Sequence, residues 1–481
     1  MLLTSCKILN MLIALISSML LSRFRTLDEY GTYSQIQIVV GLATSVFMLG
    51  LPNSLNYFLV RAKTEKEKDS FLSLYYILGT VLAIIAGTSL ITSGNFLCSY
   101  YHNNRIKDFL YVLGILPWTQ VMTTSVSNML VATTSTVRLV IYSILRSLTL
   151  LLIIIFVRFI HKDFYFYMAL YIVVESIYSL WVYYEAYRLM KKVYFKPDFK
   201  LLKAILTFSI PMGIASAIGT LDIYLDNLMV GYFFDTKTLA IFANAAKELP
   251  FNMIANAFTA VLVPYMVKQL QINRKEKAIK IWALATEFNT YILAFCVAAC
   301  LVFAPQILTV LYSSKYVEGA PVFRVYALVL LLKITYFGMA LNALGKSKYI
   351  LYSSIASLGT NIMLNYIFIK IFGTVGAAAA TFISMLIIAL VQLKISAKLL
   401  NVSFGHIFPW KQTGKIILIN AMWAICATIV IRILKLDVDT RSIIIAIIIG
   451  MFCLLVYVIA VKEKMLLLYK RLGSTESIDS M

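Results

Sequence analysis

The sequence predicts an all-α, polytopic membrane protein with about 14 transmembrane helices. Of its 481 residues, 61% are hydrophobic and only 14% are charged, which leaves too little polar surface for a soluble protein of this length. Apolar runs of about 20 residues, long enough to cross a bilayer as helix, recur from end to end. The runs do not alternate between polar and apolar residues as membrane-spanning strands do. Helices, which satisfy their own backbone hydrogen bonds in lipid, are therefore predicted.

A basic connector, residues 190–205, separates six predicted spans from eight. The first six are Leu2–Leu21, Thr32–Val60, Phe71–Ile91, Phe109–Val131, Val137–Val157 and Phe166–Leu189. The later eight are Leu206–Phe233, Thr238–Val267, Trp282–Val302, Val322–Leu344, Tyr349–Ile369, Val375–Ile395, Ile416–Leu434 and Ile443–Val461. The first run lacks a small-x-small cleavage site and leads directly into arginines, so we interpret it as a retained span rather than a signal peptide.

The formal net charge of +21 is distributed unevenly between the predicted loops. An even number of spans places both termini on one side of the membrane. The dense basic segments "RAKTEKEKD", "RLMKKVYFKPDFKLLK", "KQLQINRKEKAIK" and "KEKMLLLYKR" all fall on that side. Because Lys and Arg concentrate in cytoplasmic loops, both termini are predicted to be cytoplasmic. No soluble basic domain is recognisable, so the charge does not indicate a nucleic-acid partner.

The loops and the cysteines narrow the classes of function. All predicted loops are short, and the sequence contains no recognisable nucleotide-sugar domain or P-loop, so the chain is predicted not to be an enzyme. The six cysteines form no C-x-x-C pair, and the three histidines are isolated in loops. No metal site and no bound cofactor are therefore expected. Binding or transport must use the helices and the short loops.

Span seven carries two carboxylates on one face, because Asp222 and Asp226 are four residues apart. A charge at the bilayer centre costs at least about 2.5–3.5 kcal/mol on insertion scales, so this face is expected to avoid lipid. With a rise of about 1.5 Å per residue, the two carboxylates and Lys247 of span eight are predicted to lie at similar depths. A contact between them would lower the cost of burial.

Four further charges are predicted near or within the membrane. Arg146 lies near the middle of span five and Glu175 near the middle of span six, while Lys333 is in span ten and Arg25 follows span one. Two interpretations are open. The charges either pair to fix helix packing or line a hydrated, partly cationic cavity. Bases on separate helices, too deep to reach the surface easily, favour the cavity, which would attract phosphate or an acidic sugar.

Several predicted spans contain proline, among them span two with Pro52 and span eight with Pro264. Each removes a helical hydrogen bond and can bend its helix. The bends are interpreted either as static packing kinks or as hinges. A weak similarity between the regions around these two spans favours two related bundles, a plan in which transporters place their site at the bundle interface.

Three groups of residues carry a family resemblance. The first is "SRFRTLDEYGTY" followed by "LGLPNSLNYF", and the second is "FSIPMGIASAIGTLDIYLDNLMVGYF" followed by "IFANAAKELP" and "VLVPYM". The third is "FGTVGAAAATFIS". Together with the span number and the basic connector, these segments resemble the polysaccharide flippases of the multidrug/oligosaccharidyl-lipid/polysaccharide exporter superfamily. The resemblance covers nearly the whole chain.

The resemblance implies two six-helix bundles and two additional C-terminal helices, here residues 1–195, 196–400 and 401–481. It implies movement of an undecaprenyl-pyrophosphate-linked oligosaccharide between leaflets of the bacterial cytoplasmic membrane, for O-antigen, capsule or exopolysaccharide synthesis. A polysaccharide polymerase and chain-length proteins are then expected partners, and a proton or a sodium ion is a candidate coupling ion. The candidate cavity-lining residues are Arg25, Arg146, Glu175, Asp222, Asp226, Lys247 and Lys333.

A cation-coupled multidrug exporter of the related multidrug and toxin extrusion type is the alternative. Exporters of that type usually have twelve spans, and a cavity dominated by acids would favour them. The larger number of predicted spans and the several deep bases favour a lipid-linked glycan instead. A membrane scaffold without transport activity would gain little from deep charges on many helices.

Overall fold

The structure, a computed structural model, describes residues 2–195, 198–247, 252–434 and 436–477. Every regular element in these ranges is a helix, which confirms the all-α membrane fold class. Among the described residues, 11 helices are long and apolar enough to cross a membrane, or up to 12 if the bent pair Leu27–Phe47 and Leu51–Leu59 is one span. Each predicted span coincides with helix, but the structure interrupts spans two, eight and ten.

The helices of the N-terminal part are listed first. They are α1 (Leu2–Phe24), α2 (Leu27–Phe47), α3 (Leu51–Ser54), α4 (Glu65–Thr92), α5 (Gly94–Tyr101), α6 (Leu110–Ala132), α7 (Thr136–Phe159), α8 (Phe164–Leu189) and α9 (Phe199–Phe233). A π-helical turn, Leu55–Leu59, follows α3, and a 3₁₀ segment, Asn104–Phe109, precedes α6.

The remaining helices follow from residue 236. They are α10 (Thr236–Ala245), α11 (Asn252–Gln271), α12 (Lys275–Val302), α13 (Ala304–Tyr312), α14 (Ala320–Val329), α15 (Met339–Ala343), α16 (Ser347–Phe372), α17 (Thr374–Leu400), α18 (Trp410–Ile433) and α19 (Thr440–Ser477). Two 3₁₀ segments, Ser314–Gly319 and Leu330–Lys333, flank α14.

The chain divides into two compact units, Met1–Ala240 and Ile241–Met481, with the boundary inside α10. The long helix α9 belongs to the first unit, where it contacts α2, α3 and α5. The domain limits predicted at residues 195 and 400 assign helices to bundles, whereas the observed boundary separates compact units. The predicted limits therefore stay a prediction.

The core of the first unit is centred on α4 and α6. Leu72, Tyr75, Met122 and Val126 are fully buried there. The hydroxyl groups of Tyr75 and Ser125 form a hydrogen bond of 2.6 Å, which satisfies both polar groups inside this apolar core. Packing of this kind fixes the position of α6 relative to α4, and therefore fixes which face of α6 points outward.

Span two is bent by 53° between α2 and α3. Leu49 and Gly50 have positive φ angles of 48° and 71°, and Pro52 lies in the first turn of α3. The bend predicted for this span is therefore present, although Leu49 and Gly50 make the turn and Pro52 starts the next helix. A Cβ atom on Gly213 of α9 would lie 2.2 Å from the carbonyl carbon of Leu49, so this packing requires glycine.

A buried carboxylate holds the connector that follows α8. Asp69 of α4 is 2% exposed and accepts hydrogen bonds from the backbone N–H groups of Lys191 and Lys192, at 3.0–3.2 Å. The backbone N–H of Tyr194 donates to the hydroxyl of Ser73, one turn further along α4. The connector is thus fixed by its backbone. Residues 196–197 lie outside the described part of the chain.

In the second unit, α16 and α17 pack closely because α17 begins with small residues. Ala377, Ala378 and Ala380 are fully buried, and a Cβ atom on Gly376 would lie 2.0 Å from the carbonyl oxygen of Phe368. The segment "GTVGAAAA" therefore allows the two backbones to approach.

Predicted span ten is not one continuous helix. It consists of α14, the 3₁₀ segment Leu330–Lys333 and the short α15. Asn289 of α12 donates to the carbonyl of Ile334, and the indole N–H of Trp282 donates to Thr335, at 3.0 and 2.7 Å. Side chains of α12 therefore satisfy polar groups beside the break, as non-helical backbone at membrane depth requires.

Candidate functional site

Two of the predicted site residues form an ion pair inside the first unit. Arg146 of α7 donates from Nε and Nη2 to the two carboxylate oxygens of Glu175 of α8, at 3.0 and 2.6 Å. Glu175 is 1% exposed. This bidentate geometry is the strongest form of the arginine–carboxylate contact. The structure therefore gives these two charges the pairing role that the sequence left open.

A row of tyrosines extends from this pair along one face of α8. Tyr171 and Tyr167 precede Glu175 by four and eight residues, so the three side chains share a helical face. The amide of Gln37 donates to the hydroxyl of Tyr171 at 3.4 Å, and the rings of Tyr171 and Tyr167 stack with their centres 6.1 Å apart. The row links the ion pair to the end of the helix where α8 begins.

Arg25 lies at that end of the row. Its guanidinium is 5.7 Å from the ring centre of Tyr167 and donates to the carbonyl of Lys162 at 3.3 Å. The residue is 8% exposed and lies between α1 and α2. Burial lowers the pKa of Arg25, with Glu29 as the largest opposing charge. The structure thus brings Arg25, Glu175 and Arg146 into one internal polar row.

The two carboxylates of α9 have different surroundings. Asp226 is 5% exposed, whereas Asp222 is exposed. Between and beside these acids, Tyr224 packs against Gly41 of α2, and Thr220 contacts Ser45 of α2 through a 3.0 Å hydrogen bond. Asp222 is therefore the more accessible of the two acids.

Lys247 does not lie in a continuous helix, which corrects one prediction. Helix α10 ends at Ala245, and residues 246–247 are not helical. Pro250, later in the sequence, cannot donate the backbone hydrogen bond that a continuous span eight would need. Residues 248–251 of that predicted span lie outside the described part of the chain.

The two candidate lysines belong to the second unit. Lys247 is exposed, donates to Asn244 at 3.0 Å and lies 5.8 Å from the ring centre of Tyr312. Lys333 ends the 3₁₀ segment of span ten and is half-buried. Asp222 and Asp226 belong to the first unit, so the predicted contact between these acids and Lys247 stays a prediction.

The sequence analysis missed a buried amide cluster in the second unit. Asn365 is fully buried and donates to the side-chain oxygen of Asn361, at 2.9 Å, while Thr381 of α17 donates to the same oxygen at 3.5 Å. The signal was two asparagines four residues apart inside the apolar run of α16. Within the described ranges, no group of three or more His, Cys, Asp or Glu residues could hold a metal ion.

Two family profiles match large parts of the chain. The profile described as "Polysaccharide biosynthesis protein" matches residues 1–270, which is more than half of the chain. The profile described as "Lipid II flippase MurJ" matches residues 144–448. The two matches overlap and together cover almost the whole sequence.

Curated relatives are distant in sequence. A probable low-salt glycan biosynthesis flippase, Agl15 of Haloferax volcanii, is 20% identical over 214 residues, 44% of this chain and 45% of the relative. The capsular polysaccharide biosynthesis protein CapF of Staphylococcus aureus is 23% identical over 199 residues, 41% of this chain and 50% of the relative. The matched segments thus span about half the length of these relatives.

Solved structures show the fold over a larger part of the chain. Lipid II flippase MurJ in an inward closed conformation superposes with a TM-score of 0.76 and 16% identity, covering 96% of this chain and 98% of that one. An inward-facing multidrug resistance MATE family transporter superposes with a TM-score of 0.65 and 17% identity, covering 82% and 94%. At these identities the likeness concerns the fold alone.

The family matches, the helical architecture and the motifs in the sequence agree. The predicted resemblance is therefore confirmed. The chain belongs to the polysaccharide biosynthesis protein family, also matches the lipid II flippase MurJ family over more than half of its length, and is a multi-pass membrane protein.

Proposed function

We propose that this protein moves a lipid-linked oligosaccharide from the inner to the outer leaflet of the bacterial cytoplasmic membrane, for synthesis of O-antigen, capsule or exopolysaccharide. The observation that carries the proposal is the set of charged side chains on spans of a flippase fold. Such side chains are expensive in hydrocarbon and mark pathways for polar substrates. The relatives named as glycan flippases and as a capsule biosynthesis protein support the same substrate class.

Within this proposal the charged residues have separate roles. Lys247 and Lys333 are assigned to the pyrophosphate, because ammonium groups bind phosphate as point charges. Arg25 is assigned to the outer end of the route. Arg146 and Glu175 neutralise one another and are assigned to holding α7 against α8.

Asp222 and Asp226 are the proposed acids of the coupling step, driven by a proton or a sodium ion. A carboxylate in a membrane helix changes its charge or its partner when its access to water changes. The same acids are the feature that a cation exporter of the multidrug type would use. The likeness to a MATE transporter favours that function as the second candidate.

Reconstitution into vesicles tests the proposal and separates the two candidates. The probe is a fluorescent polyprenyl-pyrophosphate disaccharide, and the readout is its accessibility to a membrane-impermeant quencher on the far side. We expect protein-dependent transfer, reduced at least about tenfold in Lys247→Ala and in Lys333→Ala, and little change in the control variant Lys275→Ala at the start of α12. Uptake of ethidium without lipid transfer would replace the flippase function by multidrug export.

A cellular measurement supplies an independent result. Deletion of the gene in its host should cause intracellular accumulation of a lipid-linked oligosaccharide, and the full-length chain should reverse it. Normal levels of such lipids in the deletion strain, combined with unaltered surface polysaccharide, would contradict the proposed function.

A further inference from the structure

The exposed faces of two neighbouring helices in the first unit differ in chemistry. The outward side chains of α7 are apolar, including Ile141, Leu145, Leu152 and Phe156. This is the composition that lipid contact requires. The outward face of α6 carries Thr124 and Ser127, both exposed, within the candidate span Asn104–Ala132.

The polar character of α6 extends over several turns. Gln120, Thr124, Ser127 and Asn128 recur at spacings of four, three and one, which places them on one side of the helix. In the predicted orientation α6 ends at the cytoplasmic side, so Thr124 lies about 12 Å inside the end of the helix at Ala132. A run of uncharged polar groups at this depth is expected to face water rather than lipid.

Asn56, which follows the bend of span two, extends the polar face. Its amide donates to the side-chain oxygen of Asn128 at 3.4 Å, and the amide of Asn128 donates to the carbonyl of Pro52 at 3.1 Å. Asn128 is thereby fixed in one orientation. Asn56 is exposed, and its carboxamide has more donor and acceptor capacity than this one hydrogen bond uses.

An aromatic surface lies next to Asn56. The ring of Tyr57 stacks on Phe208 of α9 with centres 4.3 Å apart, and the guanidinium of Arg61 is 3.9 Å from the ring centre of Tyr57. Both Tyr57 and Arg61 are exposed. The area therefore combines amides and hydroxyls with an aromatic ring and the guanidinium of Arg61, which are the groups that bind hydroxyl-rich, uncharged molecules.

We infer that Asn56, Thr124, Ser127 and Asn128 form a saccharide subsite on the first unit, reached from the cytoplasmic side. The inference rests on the proposed function, and it assigns the sugar part of the substrate to these uncharged side chains. The hydroxyls of Thr124 and Ser127 donate to the carbonyls of Gln120 and Thr123, at 2.9 and 3.5 Å. Their oxygen atoms can still accept hydrogen bonds from sugar hydroxyls.

Carrier lipids with and without sugar test the subsite. Binding of polyprenyl pyrophosphate and of the same lipid bearing a neutral N-acetylhexosamine disaccharide is measured on the full chain in lipid nanodiscs. The variants are Thr124→Val and Ser127→Ala, which remove one hydroxyl each with almost no change of shape, and Asn56→Ala. The matched control is Thr88→Val, an exposed threonine on α4.

We expect the parent chain to bind the disaccharide lipid more tightly than the bare lipid. The double variant Thr124→Val/Ser127→Ala should reduce that preference about tenfold, which corresponds to about 1.4 kcal/mol. Its affinity for the bare lipid should be unchanged, and Thr88→Val should behave as the parent does. A preserved preference in the double variant and in Asn56→Ala would overturn the subsite while leaving the flippase function in place.

Two other outcomes are distinguishable from these. A parent chain that binds both lipids equally would overturn the subsite, because the sugar would then contribute nothing. A parent chain that binds neither lipid would overturn the proposed function itself. Ser127→Phe provides a second measurement, since a bulky ring at this exposed position should exclude the disaccharide lipid and leave the bare lipid bound.

Discussion

Two ion pairs join the same two helices, α7 and α8, in different surroundings. Arg146 and Glu175 meet near the middle of both helices, with a shortest distance of 2.6 Å and side-chain exposures of 25% and 2%. Arg138 and Glu185 meet near the predicted cytoplasmic end, at 3.5 Å, with exposures of 41% and 7%. The residue types are identical in the two pairs, so the difference in environment decides how much each pair contributes to stability. Arg146–Glu175, near the middle of the helices, is called the inner pair, and Arg138–Glu185, near their end, is called the outer pair.

The comparison shows why charge alone did not identify a binding site. Both pairs are visible in the sequence as Arg and Glu on consecutive spans. The inner pair is enclosed, and its four bonding atoms are directed at one another. The outer pair leaves part of the arginine in contact with solvent, where ions screen it. A deep charge is therefore a structural element when its partner faces it, and a ligand group only when it does not.

The largest expected effect comes from breaking the inner pair. Glu175→Gln leaves the Arg146 guanidinium without its counter-charge, and loss of one partner of a buried pair costs about 3–5 kcal/mol. Thermal unfolding in detergent should show a clear decrease in the midpoint. Replacing both residues, as in Arg146→Met/Glu175→Met, should restore most of the lost stability. An inner single variant as stable as the parent would remove the distinction between the two pairs.

The next largest effect is expected from Asp69, a buried carboxylate that is bound by backbone N–H groups. Asp69 is held by backbone N–H groups of the connector, so Asp69→Ala leaves these donors unsatisfied at about 1–3 kcal/mol. We expect faster proteolysis of the connector as well as a lower unfolding midpoint. Asp69→Asn, which retains one acceptor oxygen, should lie between the parent and the alanine variant. Equal protease resistance in all three proteins would show that the connector does not depend on Asp69.

A smaller effect is expected from a carboxylate outside the spans. Hydrogen bonding from Thr238 at the start of α10 lowers the pKa of Asp235. A lowered pKa in the folded state means that the carboxylate stabilises the protein above its unfolded pKa and that this contribution is lost as the pH falls through the folded value. Asp235→Asn, which still caps a helix, should make the unfolding midpoint less sensitive to pH between about 5 and 3. Identical pH profiles for both proteins would contradict this account.

The smallest effect is expected from the outer pair. Arg138→Gln should cost about 0.2–1 kcal/mol, because the arginine of this pair is 41% exposed and gains little over its hydrated state. Raising the salt concentration should reduce the difference between parent and variant further, whereas the difference for Glu175→Gln should persist. A cost for Arg138→Gln as large as that for Glu175→Gln would mean that depth does not separate the pairs.

The sequence predicted the fold class and most of the spans because lipid imposes one strong rule. A run of about 20 apolar residues has few alternatives to a helix in hydrocarbon. The break in span ten was not predicted, since the hydropathy of Val322–Leu344 is continuous and the partners that satisfy the broken backbone lie on α12. The interruption near Lys247 was missed for a similar reason, as apolar composition alone does not report helix ends.

Features of the site that follow from spacing along one helix could be predicted, whereas features that depend on packing between helices could not. The spacing of Asp222 and Asp226 gave their shared face, but only the packed structure showed that Asp226 is buried and Asp222 is exposed. The polar side of α6 was present in the sequence as Gln120, Thr124 and Ser127. It was missed because hydroxyls in a membrane helix commonly bond to their own backbone, and exposure cannot be read from spacing.

In the connector after α8, the path of the backbone does not depend on the charged side chains that the connector carries. Asp69 and Ser73 accept hydrogen bonds from backbone N–H groups of the connector, which every residue except proline provides. Replacing Lys191 or Lys192 by another residue therefore leaves the path of the polypeptide unchanged. The side chains at positions 191 and 192 can therefore change while the connector keeps its path, although basic residues in such loops help to orient the chain during insertion. At this point of the chain, the charge that sets membrane topology and the hydrogen bonds that set the backbone position depend on different atoms.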